Sequence, residues 1–90
     1  MVLEISDGYD QPIMVTPAQI RAARGLLGWK QSDLAREAKV SLTTVRMIEQ
    51  GKTRPLAETL GAIERALFAG GVICFEIPGE ERRGRGVRFR

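Results

Sequence analysis

The sequence contains no histidine and a single cysteine, Cys74, among its 90 residues. Histidine is the commonest general base and a common metal ligand, so neither histidine-dependent catalysis nor an ordinary metal site is expected. No glycine-rich phosphate loop follows a predicted strand. The sequence therefore predicts that the protein is not an enzyme and uses no cofactor and no metal.

The lone Cys74 cannot form a disulfide within the chain. It stands in an apolar run, which predicts a small core hydrophobe and is consistent with a reducing compartment. The first ten residues, MVLEISDGYD, contain neither a basic segment nor a long apolar run. This pattern predicts no signal peptide and no membrane span, and we expect a cytoplasmic protein of one domain with a modest core.

The net charge of +3 is small, but the charges are unevenly distributed along the chain. Three acids and no base lie in residues 1–16, whereas eight bases and three acids lie in residues 17–54. Residues 55–77 have a small acidic excess, and residues 78–90 carry five arginines against two glutamates. Two basic segments suit a polyanionic partner, although a merely soluble mixed-charge surface is the simpler alternative.

Capping residues and apolar periodicity predict four helices. Thr16-Pro17 starts the first and Gly28 ends it; Lys30 to Asp33 opens the second; Ser41 and Gly51 bound the third. The fourth follows Arg54-Pro55 and ends at Gly70-Gly71. The predicted inward residues recur at helical spacing: Ile20, Ala23, Leu27, Leu34, Ala35, Ala38, Val45, Ile48, Leu56, Leu60, Ile63 and Leu67.

The pattern changes after residue 71, where VICFEI and VRFR favour two strands joined through Pro78 to Gly86. Because an isolated hairpin is only marginally stable, it should either lie on the helices or pair with a second copy. We therefore predict a mainly α protein with a C-terminal antiparallel β-hairpin. Its parts are an arm at 1–15, in which VLEI is a candidate strand, a helical domain at 16–70 and the hairpin at 71–90.

The second and third helices, separated by a short turn, form a helix-turn-helix arrangement. On a helical wheel, Val45 and Ile48 set the core direction of the third helix, and its opposite face carries Thr43, Arg46, Met47 and Gln50. Such side chains can donate to base edges and contact thymine methyl groups. The alternative is that this face has no role in binding and is only the polar, solvent-facing side that any amphipathic helix has.

The run QSDLAREAKVSLTTVRMIEQGKTRP resembles the lambda-repressor-like (XRE) helix-turn-helix family, over residues 17 to 69, and the ending resembles small bacterial members that finish in two strands. The resemblance implies a phosphate contact from Gln31 and groove reading by the start of the third helix and by Met47. It also implies contacts to the DNA backbone from Gln50, Lys52 and Arg54, and an ion pair between Arg24 and Glu49. With Arg46 from the wheel, the predicted DNA-binding residues are Gln31, Ser41, Leu42, Thr43, Arg46, Met47, Gln50, Lys52 and Arg54.

The predicted function is a sequence-specific regulator of transcription that binds double-stranded DNA. We expect a repressor that acts by operator occupancy, with the helix at 42–50 in the major groove, as a homodimer through the C-terminal strands. The alternative is an antitoxin-like module that neutralises a partner protein. One residue tests the helix-turn-helix turn directly: Lys39 stands where glycine is usual, so it should adopt a left-handed conformation at a cost of about 1 to 2 kcal/mol.

Overall fold

The computed structural model describes residues 15–80 and 83–90, so the arm and its candidate strand VLEI lie outside the described residues. The elements are α1 (Pro17–Leu27), α2 (Gln31–Ala38), α3 (Leu42–Glu49), α4 (Ala57–Gly70), β1 (Val72–Glu76) and β2 (Arg85–Phe89). The two strands form an antiparallel hairpin. This confirms the predicted mainly α fold with a C-terminal hairpin. No helix in the described ranges is long and apolar enough to cross a membrane.

Local capping interactions set both ends of α1. The Thr16 hydroxyl accepts the Gln19 amide at 3.1 Å, and Gln19 Oε1 accepts the Thr16 amide at 3.0 Å, which is a reciprocal capping box. Pro17 occupies the first turn, where its missing N–H costs nothing, and Gly28 ends the helix with φ 69°. The predicted first helix is thereby confirmed.

The turn after α2 has the strained conformation that the sequence predicts. Lys39 adopts φ 61° and ψ 41°, and it is the one non-glycine residue with positive φ in the described part of the chain. The next amide, that of Val40, donates to the Ala35 carbonyl at 3.0 Å. A lysine therefore takes the position that glycine usually holds, because the packing on both sides of the turn fixes the backbone.

The core lies between the four helices and the hairpin. Its largest fully buried side chains are Ile20, Leu34, Ile63, Leu67, Val45 and Val72. One predicted core residue is wrong: Leu56 is 70% exposed. Leu56 is the extended residue before α4, with φ −65° and ψ 149°. The helical spacing that places Leu60 and Ile63 on the inner face does not hold for a residue outside the helix.

The hairpin packs on the helices, which is one of the two arrangements that the sequence left open. Val72 and Cys74 are buried, and Val87 packs against the same core. Burial raises the pKa of the Cys74 thiol to about 11, as expected for a core residue rather than a reactive one. The buried Gln19 amide on α1 donates to the carbonyls of Phe75 and Gly86, at 3.0 and 3.1 Å. One side chain thus ties the first helix to both strands.

Candidate nucleic-acid interface

The packing of α2 against α3 fixes which side of α3 faces solvent. Ala35, Val45 and Ile48 are buried, with 6%, 0% and 3% of their surface exposed. Ser41 caps α3, since its hydroxyl accepts the Thr44 amide at 3.0 Å and donates to the Thr44 hydroxyl at 2.8 Å. The start and the rotation of α3 are therefore both set by short-range contacts.

The outer face of α3 carries the four side chains that the helical wheel places there. Thr43, Arg46, Met47 and Gln50 are all exposed. Together they offer a guanidinium, an amide, a hydroxyl and two apolar tips, which is the mixture that reads base edges in a groove. Leu42, by contrast, is half-buried and packs against the core, so its described contacts position α3.

A concave pit of about 170 Å³ lies beside this face, between α3 and the start of α4. Its lining residues are Thr43, Thr44, Met47, Ile48, Thr53, Pro55 and Thr59. The Lys52 amide donates to the Met47 carbonyl at 3.0 Å, and this turn leads the chain back past α3. Thr53 and Thr59 did not emerge from the sequence, because only the fold brings them next to Met47.

Glu49 is the centre of a buried polar cluster behind the exposed face. Its side chain is 2% exposed and receives two bonds from Arg24, Nε to Oε2 at 2.7 Å and Nη2 to Oε1 at 2.9 Å. Arg24 Nη1 also donates to the Trp29 carbonyl at 3.0 Å. The pair connects α1 with α3, and its bidentate geometry is the strong form of such a contact.

Gln31, which the sequence predicts to contact a DNA phosphate, also belongs to this buried cluster. Its amide nitrogen donates to Glu49 Oε1 at 3.0 Å, and the half-buried side chain keeps a second amide hydrogen for an outside acceptor. At the start of the same helix, the Lys30 amide donates to Asp33 Oδ2 at 2.8 Å, and this bond lowers the pKa of Asp33. Both contacts hold the first turn of α2 in place.

Arg21 is a basic residue of this region that sequence reasoning missed. Its guanidinium donates to the backbone carbonyl of Glu49, at the end of α3. The available signal was its position three residues before Arg24, which places both arginines on one face of α1. An exposed arginine therefore lies next to the α3 terminus, beside Gln50.

The exposed charges in residues 41–54 are all positive. Between residues 41 and 54 the one acid is Glu49, which is buried, whereas Arg46, Lys52 and Arg54 are exposed. Thr53 lines the same pit as Thr43, so the loop that carries Lys52 and Arg54 passes beside the outer face of α3. This positive surface suits a polyanion. In residues 15–80 and 83–90, no group of three or more Cys, Asp or Glu side chains is arranged to hold a metal ion.

Comparison with known families places this geometry in context. A family model described as helix-turn-helix matches residues 20–69, which is more than half of the chain. The matched range starts within α1, ends within α4 and contains the whole exposed face of α3. A search of curated proteins found no match.

Proposed function

Because the chain belongs to the lambda-repressor-like helix-turn-helix family, a family of DNA-binding regulators, we propose that it reads a specific double-stranded DNA sequence with α3 in the major groove. The observation that carries this proposal is the outer face of α3, which is exposed and mixed in chemistry. Cations flank this face, and its one acid is buried.

Each predicted residue except Leu42, which packs against the core, then has a role at the interface. Arg46 donates bidentately to a guanine, and Gln50 bonds a base edge or a phosphate. Thr43 and Met47, which line the pit, receive a thymine methyl group. Phosphate contacts come from three side chains along the rim of the surface: Gln31, Lys52 and Arg54. Ser41 caps the end of α3 that enters the groove.

We further propose repression by occupancy, since a bound domain in an operator excludes other proteins without any additional contact. Helix-turn-helix proteins commonly read two half-sites as dimers, and we propose a homodimer through the C-terminal strands. Two exposed apolar side chains of the hairpin region support this contact, Ile77 at 47% and Phe89 at 56% exposure. The same side chains would serve the alternative role, in which the protein neutralises a protein partner.

The experiment selects a preferred site from random duplexes, and then measures Kd for that site and for unselected DNA at low and high salt. Arg46→Ala should reduce the preference by about 1 to 3 kcal/mol, the usual value of a bidentate base contact. Lys52→Ala should weaken both duplexes alike and reduce the salt slope by about one.

Arg65→Ala is the matched control, since Arg65 is an exposed arginine on α4 outside the proposed surface. It should change neither the preference nor the salt slope. The proposal fails if Arg46→Ala and Lys52→Ala bind like the control. Sedimentation of the unmodified chain with and without Phe89→Ser tests the dimer separately, and a monomer in both samples would contradict it.

A further inference from the structure

Arg21 is an exposed arginine of α1 that has no part in the proposed DNA contacts. Its Nη1 donates to the backbone carbonyl of Glu49, the last residue of α3. A guanidinium carries five N–H donors, which is more than one carbonyl can accept. Most of the donors of this exposed side chain are therefore left for an acceptor outside the described residues.

The bond to Glu49 completes the capping of α3. The amides of residues 50–52, which follow the helix, donate to carbonyls of residues 46–48. None of these amides takes the Glu49 carbonyl, and Arg21 supplies a donor for it. The cation also offsets the negative end of the α3 dipole, which would otherwise repel a phosphate.

The positive charge of Arg21 is not paired with a carboxylate of the described residues. The α1 helix contains no acid, and the Glu49 carboxylate is already held by Arg24, at 2.7 and 2.9 Å. Arg36 is a contrasting case, because two acids lie within 3.6 Å of its guanidinium. Two cations and one anion at the junction of α1 and α3 leave one positive charge, and Arg21 carries it at the surface.

Gln31 reaches the same residue from α2. Its Nε2 donates to Glu49 Oε1 at 3.0 Å, whereas Arg21 donates to the Glu49 carbonyl. The exposed Gln50 follows directly in the chain. The end of α3 therefore gathers polar side chains from α1, from α2 and from the loop after α3, and donors of these kinds are the ones that contact DNA phosphates.

A phosphate of the DNA backbone is the acceptor that fits Arg21 best. With α3 in the major groove, the ends of the helix lie near the sugar-phosphate strands that border the groove. A guanidinium matches the geometry of phosphate oxygens and can bind two of them at once. A base edge fits less well, because the Glu49 carbonyl ties Arg21 to the end of α3 and not to its outer face.

We propose that Arg21 binds a backbone phosphate of the DNA, close to the contact of Gln31, a role that rests on the proposed function. The bond to the Glu49 carbonyl orients the guanidinium before DNA arrives, so that less side-chain entropy is lost on binding. The α1 helix thereby joins α2 and the loop after α3 in holding the DNA strand. The contact adds affinity without a preference for sequence.

Salt titration of DNA binding tests the proposal, with Kd measured between about 50 and about 200 mM salt for the selected site and for unselected DNA. Loss of one phosphate contact reduces the slope of log K against log salt by about 0.9 per protomer. Over this range the unmodified chain should therefore lose about 3.5-fold more affinity than Arg21→Ala. Arg21→Lys keeps the charge and should retain the slope. Arg21→Gln keeps a donor without the charge and should behave like Arg21→Ala.

Neutral methylphosphonates, placed one at a time in the selected duplex, locate the contact. At one position the neutral group should weaken binding by the unmodified chain and make little further difference to Arg21→Ala. Arg65→Ala is the matched control, since Arg65 is an exposed arginine on α4 outside the proposed surface. This control should respond to every neutral position as the unmodified chain does.

Thermal unfolding of the same variants distinguishes DNA binding from a purely structural role. If Arg21→Ala keeps the full salt slope and responds to each neutral phosphate like the control, the proposal is overturned, and a lower Tm would then identify Arg21 as a cap of α3 only. The proposed function stands in that case as long as the site preference and the effect of Arg46→Ala persist. An unmodified chain that binds no DNA would overturn both.

Discussion

Replacing Glu49 by alanine should destabilise the fold strongly, because it removes one partner of a buried ion pair. The Glu49 side chain is 2% exposed and accepts bonds from Arg24 and Gln31. Without Glu49, the Arg24 guanidinium keeps its hydrogen bond to the Trp29 carbonyl. The Arg24 side chain is also 20% exposed, so water can solvate part of its charge. Breaking a buried pair in this way costs about 3 to 5 kcal/mol, and the remaining partners of Arg24 favour the lower end.

A loss of about 3 kcal/mol corresponds to a fall in Tm of about 12 to 24 °C for a domain of this size. Urea and thermal unfolding followed by circular dichroism measure both quantities. Glu37→Ala is the matched control, since Glu37 is 49% exposed and contacts Arg36 at 3.6 Å. Exposed pairs of this kind contribute less than about 1 kcal/mol.

A double-mutant cycle separates the ion pair from the loss of side-chain packing. Arg24→Ala with Glu49→Ala leaves neither charge buried alone, so the double variant should be more stable than the sum of the single effects by about 1 to 3 kcal/mol. If Glu49→Ala unfolds like Glu37→Ala, or if the two single effects add, the buried pair does not stabilise the junction of α1 and α3.

Three further substitutions test the backbone and the packing. Lys39→Gly should stabilise the fold by about 0.5 to 1 kcal/mol, because relief of the left-handed strain exceeds the entropy cost of glycine, and it should leave the DNA preference unchanged. A lower Tm for this variant would contradict the inference that Lys39 is strained. Gly70→Ala should cost about 1 to 3 kcal/mol, since its Cβ would lie 2.8 Å from Trp29 Cζ2. Gly25→Ala in α1, whose Cβ meets nothing within 4 Å, should instead stabilise by up to about 1 kcal/mol, and equal effects at the two glycines would refute the packing argument.

Much of the helical part followed from short stretches of sequence. Thr16 and Ser41 cap helices through groups three residues away, and Lys39 turns the chain through bonds to the preceding turn. The exposed face of α3 followed from periodicity once Val45 and Ile48 fixed its rotation. The prediction that Leu56 is buried was wrong because the apolar spacing extends one residue before the start of α4. Spacing alone does not mark where a helix begins.

The candidate site divides in the same way. The outward residues of α3 were predictable, as was the pairing of Arg24 with Glu49 that the family resemblance implied. The contact from Arg21 to the Glu49 carbonyl and the wall that Thr53 and Thr59 add to the pit were not predictable. Those contacts need the rigid placement of α1 and α4 against α3, which no single window of sequence contains.

The sequence by itself determined the helices, the turn at Lys39 and the chemistry offered by α3, because capping, periodicity and backbone preference act within about four residues. The tertiary structure decided where the hairpin goes. Gln19 bonds to carbonyls 56 and 67 residues away, and Val72 and Cys74 complete a core begun by the helices. Such contacts depend on how whole elements pack, since burial favours many partners equally until shape and hydrogen bonding select one.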